Sequence, residues 1–425
     1  MEPRCDETVL FLTSRLPFPP ADGRKISLNN YCKFIAKDMG FKLILVTFGN
    51  KYPPKEDIPL YVSDIILIPV PPMAGAVIRW IIGRIFNAST PLQSELFWSR
   101  KNQKKIERIL DEHRVTTVIA DMVRTGEYLL RSPNVCKKVA DLDDLLSVRY
   151  SRQLSSASHS SPIGTAGAVG KIGFFNRILT RTGLIKLLVS AEAKLLESYE
   201  QKLALSSDSV VLVSPVEAEL LQHRCPESRI HTIPVSVDEA LLDLAITQNP
   251  KHVITFLGAL NVPHNSEGLI RFIHEIWPII KKRDAEVTLQ IVGRGENSDL
   301  SYLAHADPRI RLIGEVNDFV PYLQKSKALI APMWFGSGIK TKILESMAVG
   351  IPVITTPIGA EGIGGIPGTH YFVAETVEQF SDSVMLVLNN SSIRADVSRN
   401  GRALVGEKFT YNRVMQTWYD VLGGK

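Results

Sequence analysis

The run Pro332-Met-Trp-Phe-Gly336-Ser-Gly338-Ile-Lys340-Thr-Lys342-Ile-Leu-Glu345-Ser-Met-Ala-Val-Gly350-Ile-Pro352-Val-Ile-Thr-Thr356 decides the fold. The apolar residues Ala328 to Ala331 before it have strand length. Gly336 and Gly338 allow a tight turn with the backbone close to a ligand. Ser337 reads as an N-cap for a helix over Ile339 to Val349, which Gly350 and Pro352 stop. Val353 to Thr355 is then the next strand, and the whole is one parallel βαβ unit.

The same alternation runs outward in both directions. Upstream, short apolar runs at Val9–Leu12, Lys42–Thr47, Ile65–Val70, Thr117–Ala120, Lys138–Ala140 and Ser209–Val213 read as strands, with helix-like stretches between them. Ile26–Met39 is one such helix, with Leu28, Tyr31, Phe34 and Ile35 at helical spacing. The polar stretch Ser236–Pro250 reads as a linker. A second series follows at Val253–Leu257, Val287–Val292, Arg311–Ile313, Ala328–Ile330, Val353–Thr355 and Tyr371–Val373, with a last helix over Tyr411–Leu422. The expected architecture is α/β. Residues 1–240 form one Rossmann-like doubly wound domain, 250–408 a second, and 409–425 a helix returning to the first. Ligands of such sheets bind outside the carboxyl ends of the strands, so the two domains are expected to face a central cleft.

Composition removes several classes of function. The chain has 425 residues, of which 45% are hydrophobic and 22% charged, which is globular. A net charge of +5 with no basic-aromatic run argues against nucleic acid as a partner. The basic excess sits in the first 245 residues, with 31 basic against 27 acidic side chains. Cys5, Cys32, Cys136 and Cys225 are scattered and make no zinc-type spacing, so neither a disulfide framework nor a structural metal is expected. No leader segment and no apolar stretch of about 18–20 residues are apparent, and the expectation is a cytoplasmic protein, soluble or peripheral.

The quoted turn also carries chemistry. A helix start after glycines presents unpaired N–H groups and a positive dipole end, which suit a phosphate. Gly338 and Ile339 would supply those amides, and Lys342 and Glu345, three residues apart, would share a helix face. Lys340 would project elsewhere. A carboxylate at Glu345 can accept two hydroxyl hydrogen bonds, as a ribose diol offers. Phosphate, cation and diol sites along one helix suit a nucleoside diphosphate. Gly293-Arg294-Gly295 opens no full dinucleotide fingerprint, because residue 298 is Ser.

These strings resemble the retaining glycosyltransferases of family 4, which have the GT-B fold. The match lies in Gly336-to-Glu345 and Ala348-Val-Gly350-Ile-Pro352-Val-Ile-Thr-Thr356. Other similar pieces are Phe256-Leu-Gly258 with Asn265, Ile291-Val-Gly293-Arg294-Gly295, Ile313-Gly314-Glu-Val316, Gly359-Ala-Glu361-Gly362 and Val213-Ser214-Pro-Val-Glu217. Pro17-Phe-Pro-Pro-Ala-Asp22-Gly23-Arg24 is similar to the family's loop after the first strand. Asp141-Leu-Asp143-Asp144-Leu-Leu-Ser147-Val-Arg149-Tyr150 is of the bacterial exopolysaccharide type.

The resemblance implies transfer of a sugar, with retention, from a nucleotide diphosphate sugar to a saccharide or lipid-linked acceptor, without cofactor or metal. It implies that Lys342, Glu345 and Arg24 are catalytic. Gly23, Gly258, Arg294, Val316, Ser337, Gly338, Ile339 and Lys340 would line the donor, with Val316 beside the base. Asp22, Arg124 and Asp143 would lie on the acceptor side. Two departures stand out: Ser337 replaces a Glu that many members use on the donor sugar, and Ala259 replaces an Arg after Gly258. A sugar-nucleotide epimerase on this fold and a non-catalytic transferase-like subunit are the alternatives. Asp141-Leu-Asp143 is not read as a metal site, and Asp143 or Asp144 reads as an acceptor-loop residue or a helix N-cap. Three basic-apolar segments, from Ala74, from Ser99 and from Gly173, suggest contact with an anionic membrane at the inner face, through Arg79, Arg84, Arg177 and Arg181.

Overall fold

A computed structural model of the chain describes residues 7–20, 23–85, 90–132, 137–155, 184–247, 251–295 and 297–423. Asp22, Arg177 and Arg181 lie outside the described residues, as do the side chains of Arg84 and Lys186. Residues 151–155 are the last turn of the helix Leu146–Ser155.

The chain divides into two compact units. Among the described residues, the first holds residues 7–151, 184–235 and 414–423, and the second holds 236–413 together with 152–155.

The first unit is built on a seven-stranded sheet of β1 (Thr8–Thr13), β2 (Lys42–Phe48), β3 (Asp64–Ile68), β4 (Thr117–Asp121), β5 (Lys137–Asp143), β6 (Ser209–Leu212) and β7 (Ile230–Thr232). Their order is β3-β2-β1-β4-β5-β6-β7, and every pairing is parallel. All six residues of β1 and all five of β4 are buried, as strands covered by helices on both faces must be. The order reverses between β1 and β4, so the ends of these two strands form the switch point of the sheet.

The second unit is a six-stranded parallel sheet in the order β10-β9-β8-β11-β12-β13, from β8 (Val253–Leu257), β9 (Thr288–Val292), β10 (Ile310–Gly314), β11 (Ala328–Ala331), β12 (Val353–Thr355) and β13 (Phe372–Val373). Its core joins Phe256, Phe272, Trp277, Ile291, Ile330 and Phe380. The switch point here lies between β8 and β11.

Two expected helices differ in detail. The helix Gly23–Lys33 passes into a wider turn over Phe34–Asp38, closed by Met39 N–H donating to Phe34 O at 2.9 Å. The last segment is two short helices, Tyr411–Met415 and Thr417–Leu422. Trp418 is fully buried edge-on to Tyr31 at 5.1 Å, and Tyr419 meets Phe34 at 5.2 Å, so aromatic packing ties the chain's end to the first unit.

Candidate functional site

In the second unit, glycines bring the ends of three neighbouring strands into close approach. Gly258 follows β8, Gly293 follows β9 and Gly314 ends β10. Gly258 N–H donates to Val292 O at 3.0 Å, and Gly293 N–H to Gly314 O at 2.8 Å. A Cβ on Gly293 would lie 1.8 Å from Gly258 O, so only glycine fits there. The backbones of these strand ends therefore pack closely, and Ala259 follows Gly258 at this floor.

Lys342 rises beneath that floor. It is 8% exposed, and its Nζ donates to Asn265 Oδ1 at 2.5 Å and lies 4.6 Å from the centre of the Phe256 ring. A Cβ on Gly258 would meet that Nζ at 3.0 Å. Asn265 is itself held by its Nδ2, which donates to Ala259 O at 2.9 Å. Among the described residues no carboxylate pairs with Lys342. Burial, with the nearby charge of Lys340, pulls its pKa down to about 7. Such an ammonium gains most from an anion that arrives with its own charge.

Two expectations for this turn are corrected. The helix is Thr341–Val349 with Lys340 at the N-cap, so Ser337 does not cap it and the amides of Gly338 and Ile339 belong to the turn before it. Lys340 does not project away: its Nζ folds back onto Ser337 O at 2.7 Å and also onto Gly338 O. A four-carbon stem three residues from those carbonyls reaches them, and the cation braces the turn. Lys342 and Glu345 form no ion pair, because the Lys342 side chain runs under the sheet end to Asn265.

Glu345 has no hydrogen-bond partner among the described residues. Burial raises its carboxyl to about 7, and no neighbouring cation offsets this. Of the other expected donor residues, Val316 is half-buried two residues beyond β10, Arg294 is exposed beyond β9, and Ile339 is buried.

The first unit holds a charged cluster at its switch point. Arg24, in the first turn of the helix that starts at Gly23, donates to Asp121 at 2.6 Å, to Asp141 at 2.7 Å and to Asp143 at 3.0 Å. Asp121 also accepts from Ser14 Oγ at 2.9 Å. The Arg24 side chain is 7% exposed, and those of Asp121 and Asp141 are fully buried. Burial lifts Asp141 to about 7 against the pull of Arg24, because three carboxylates share one guanidinium. Arg24 was expected to be catalytic. Its Nε, Nη1 and Nη2 are instead committed to strand-end carboxylates, since a buried carboxylate needs a cation more than solvent does. Asp143 instead binds Arg24, and Asp144 pairs with Arg149. The Leu145 and Ser147 amides are taken by Glu217 and Glu200. No sequence signal announced this cluster, because its members come from three separate βα junctions.

Arg124 is buried in the first turn of the helix Met122–Leu130, with Nε donating to Gln93 Oε1 at 3.0 Å. Arg79, expected at a lipid surface, instead donates to Glu95 at 2.8 Å and to the carbonyls of Glu95 and Trp98. Its own helix, Met73–Ile85, does expose Ile78, Ile81 and Ile82.

Comparison with known proteins agrees with this geometry. Residues 251–390 match the model of a family described as glycosyl transferases group 1, which is the unit carrying Lys342 and Glu345. The whole chain aligns with the crystal structure of Anabaena HepE in complex with UDP and glucose, at 12% identity and a TM-score of 0.62, covering 99% of this chain and 100% of that one.

The chain has the GT-B fold.

An uncharacterised 44.6 kDa protein in the cps region of Klebsiella pneumoniae is 26% identical over 171 residues, 39% of this chain and 44% of that protein. The capsular polysaccharide biosynthesis glycosyltransferase CapM of Staphylococcus aureus is 26% identical over 149 residues, 32% of this chain and 39% of CapM. The matches thus span less than half the length of these curated relatives. Among the described residues no helix is long and apolar enough to cross a membrane.

Proposed function

We propose that this GT-B protein is a glycosyltransferase. It moves a sugar from a nucleotide diphosphate sugar to the hydroxyl of a saccharide or lipid-linked acceptor, in the assembly of a surface polysaccharide or glycolipid. One observation carries the reading: a buried ammonium without a carboxylate partner, Lys342, lies under a glycine floor, on the same helix as an unpartnered carboxyl, Glu345. Lys342 would neutralise the leaving diphosphate, and Glu345 would accept from the ribose diol. The group 1 match over this unit and the capsule and cps-region relatives support it.

We propose the finer features on the same basis. Transfer proceeds with retention and without a metal, since the acidic cluster is already filled by the Arg24 guanidinium. The protein works in the cytoplasm, and the exposed isoleucines of Met73–Ile85 rest on the inner face of the membrane. Incubation with a panel of radiolabelled sugar nucleotides and lipid-phosphate or oligosaccharide acceptors tests the reading. Label entering an acceptor supports transfer. Interconverted sugar nucleotide without transfer would indicate an epimerase, and binding without turnover a non-catalytic subunit.

A further inference from the structure

At the switch point of the first unit, Ser14 and Arg15 leave β1 beside the end of β4. Ser14 N–H and Oγ both donate to Asp121 Oδ2, at 3.1 and 2.9 Å, which locks this corner against the start of the helix Met122–Leu130. Asp121 occupies the N-cap position of that helix but gives it no side-chain cap, because its oxygens are taken by Ser14 and Arg24. The first turn of the helix is thus left with uncapped amides.

Arg124 stands in that first turn. It is 7% exposed, and its protein partners are neutral: Gln93 Oε1 at 3.0 Å and the Met122 sulfur at 3.7 Å. Among the described residues no carboxylate lies within ion-pair distance of Arg124 or of Arg15, which is half-exposed. The other charges around it are assigned. Asp121 is held by Ser14 and Arg24, Arg149 pairs with Asp144, and Glu192 accepts from the Gln93 amide. Burial and the neighbouring Arg15 pull Arg124 down to about 10, which leaves it charged at neutral pH. Met122 has φ of 61°, a left-handed conformation that costs a residue with a side chain and is kept where surroundings hold it. A buried guanidinium beside a second arginine, with neutral partners only, is costly in a folded domain unless an anion completes it.

We propose that Arg124 and Arg15, with the uncapped first turn of Met122–Leu130, bind an oxyanion carried by the acceptor, a phosphate or a sugar carboxylate. This deepens the proposed function and rests on it for the word acceptor, since the acceptor enters a GT-B enzyme at its first unit. A lipid-linked acceptor would bring a phosphate and an acidic saccharide a carboxylate, and both suit the planar fork of Arg124.

Calorimetric titration of the full chain tests this, with a mixture of nucleoside diphosphates present to fill the donor unit. The probes are farnesyl phosphate, farnesol and methyl glucuronide. Farnesyl phosphate should bind wild-type protein about tenfold or more tighter than it binds Arg15→Gln or Arg124→Gln. Arg124→Lys keeps the charge and should recover part of the loss. Farnesol should bind all four proteins alike. Binding of the glucuronide alone, lost in the same variants, supports the site and makes the anion a carboxylate. Equal affinity of both anions for wild type and Arg15→Gln, or none for either anion, overturns the proposal. Arg15 is half-exposed, so its variant folds even if Arg124→Gln does not. Failure of the donor reading shows separately, as wild-type protein that binds none of the nucleoside diphosphates.

Discussion

Lys342 Nζ donates to Asn265 Oδ1 at 2.5 Å, and these two residues, 77 positions apart, hold a buried ammonium against Gly258. Asn265 neutralises nothing. It orients the ammonium and leaves its charge for a ligand. Replacing Lys342 with Met should therefore weaken nucleoside diphosphate binding about ten- to a hundredfold, the range of a charge-assisted hydrogen bond. Glu345→Ala should weaken nucleosides as well as nucleotides, because it acts on the ribose. Calorimetry with the diphosphate and the nucleoside separates the two effects. Equal loss of both ligands in Lys342→Met would contradict the assignment.

Proton linkage gives a second prediction. Burial brings the Lys342 ammonium down to about 7 in the folded protein, from the ordinary lysine value of 10.5. Between these two values the unfolded chain holds a proton that the fold does not, so this group's share of stability rises with pH over that window and falls as pH drops through about 7. Glu345, raised to about 7 from 4.5, acts oppositely: its share is present below 4.5 and is lost as pH rises through about 7. A diphosphate should restore the charge of Lys342. At about pH 8 binding should take up close to one proton, read as a dependence of the calorimetric enthalpy on buffer ionisation heat. Lys342→Met should abolish the uptake.

The Arg24 cluster predicts a stability effect. Arg24→Met leaves Asp121 and Asp141 buried without their cation and should cost about 3–5 kcal/mol by chemical denaturation at pH 7. The stranded carboxylates would then have raised pKa values, so the variant should regain stability as pH falls and they protonate. A loss that is the same at pH 5 and pH 7 would show that the cluster is not electrostatically coupled.

Two glycines separate crowding from backbone conformation. Gly293→Ala puts a methyl 1.8 Å from Gly258 O and should destabilise by about 3 kcal/mol or more while displacing the donor floor. Gly314 has φ of 83° with nothing within 4 Å of a Cβ, so Gly314→Ala should cost only about 1 kcal/mol. Thermal unfolding of both variants checks the contrast.

Membrane contact, if made by Met73–Ile85, should depend on apolar contact more than on Arg79, whose guanidinium is engaged by Glu95 and two carbonyls. Ile78, Ile81 and Ile82 are 57%, 49% and 48% exposed, so replacing all three with Ser should leave folding intact and abolish co-sedimentation with anionic liposomes. Wild-type protein that stays in the supernatant at low salt would overturn the membrane reading.

The strands were legible because period and length survive in one dimension. Val253–Leu257 and Val353–Thr355 lie where their apolar runs put them, whereas the close approach of Gly258 and Gly293 is a product of the fold. The helix start at Thr341 was misplaced by two residues, since the sequence could not show that the Lys340 ammonium returns to the carbonyls of Ser337 and Gly338. Asn265 was visible as part of a familiar string, but its bond to Lys342 was not.

By itself the sequence determined the alternation of elements, the two parallel sheets and the glycine turn before the donor helix, because these follow from local propensity and hydrophobic period. The tertiary structure alone decided which charges are used up and which are left over. Arg24 and Arg124 look alike in the sequence, each in the first turn of a helix after a strand. One meets three carboxylates from neighbouring strand ends, and the other meets an amide and a thioether. That difference is set by strand order, which brings residues about a hundred positions apart into contact, and Coulomb energy depends on distance in space.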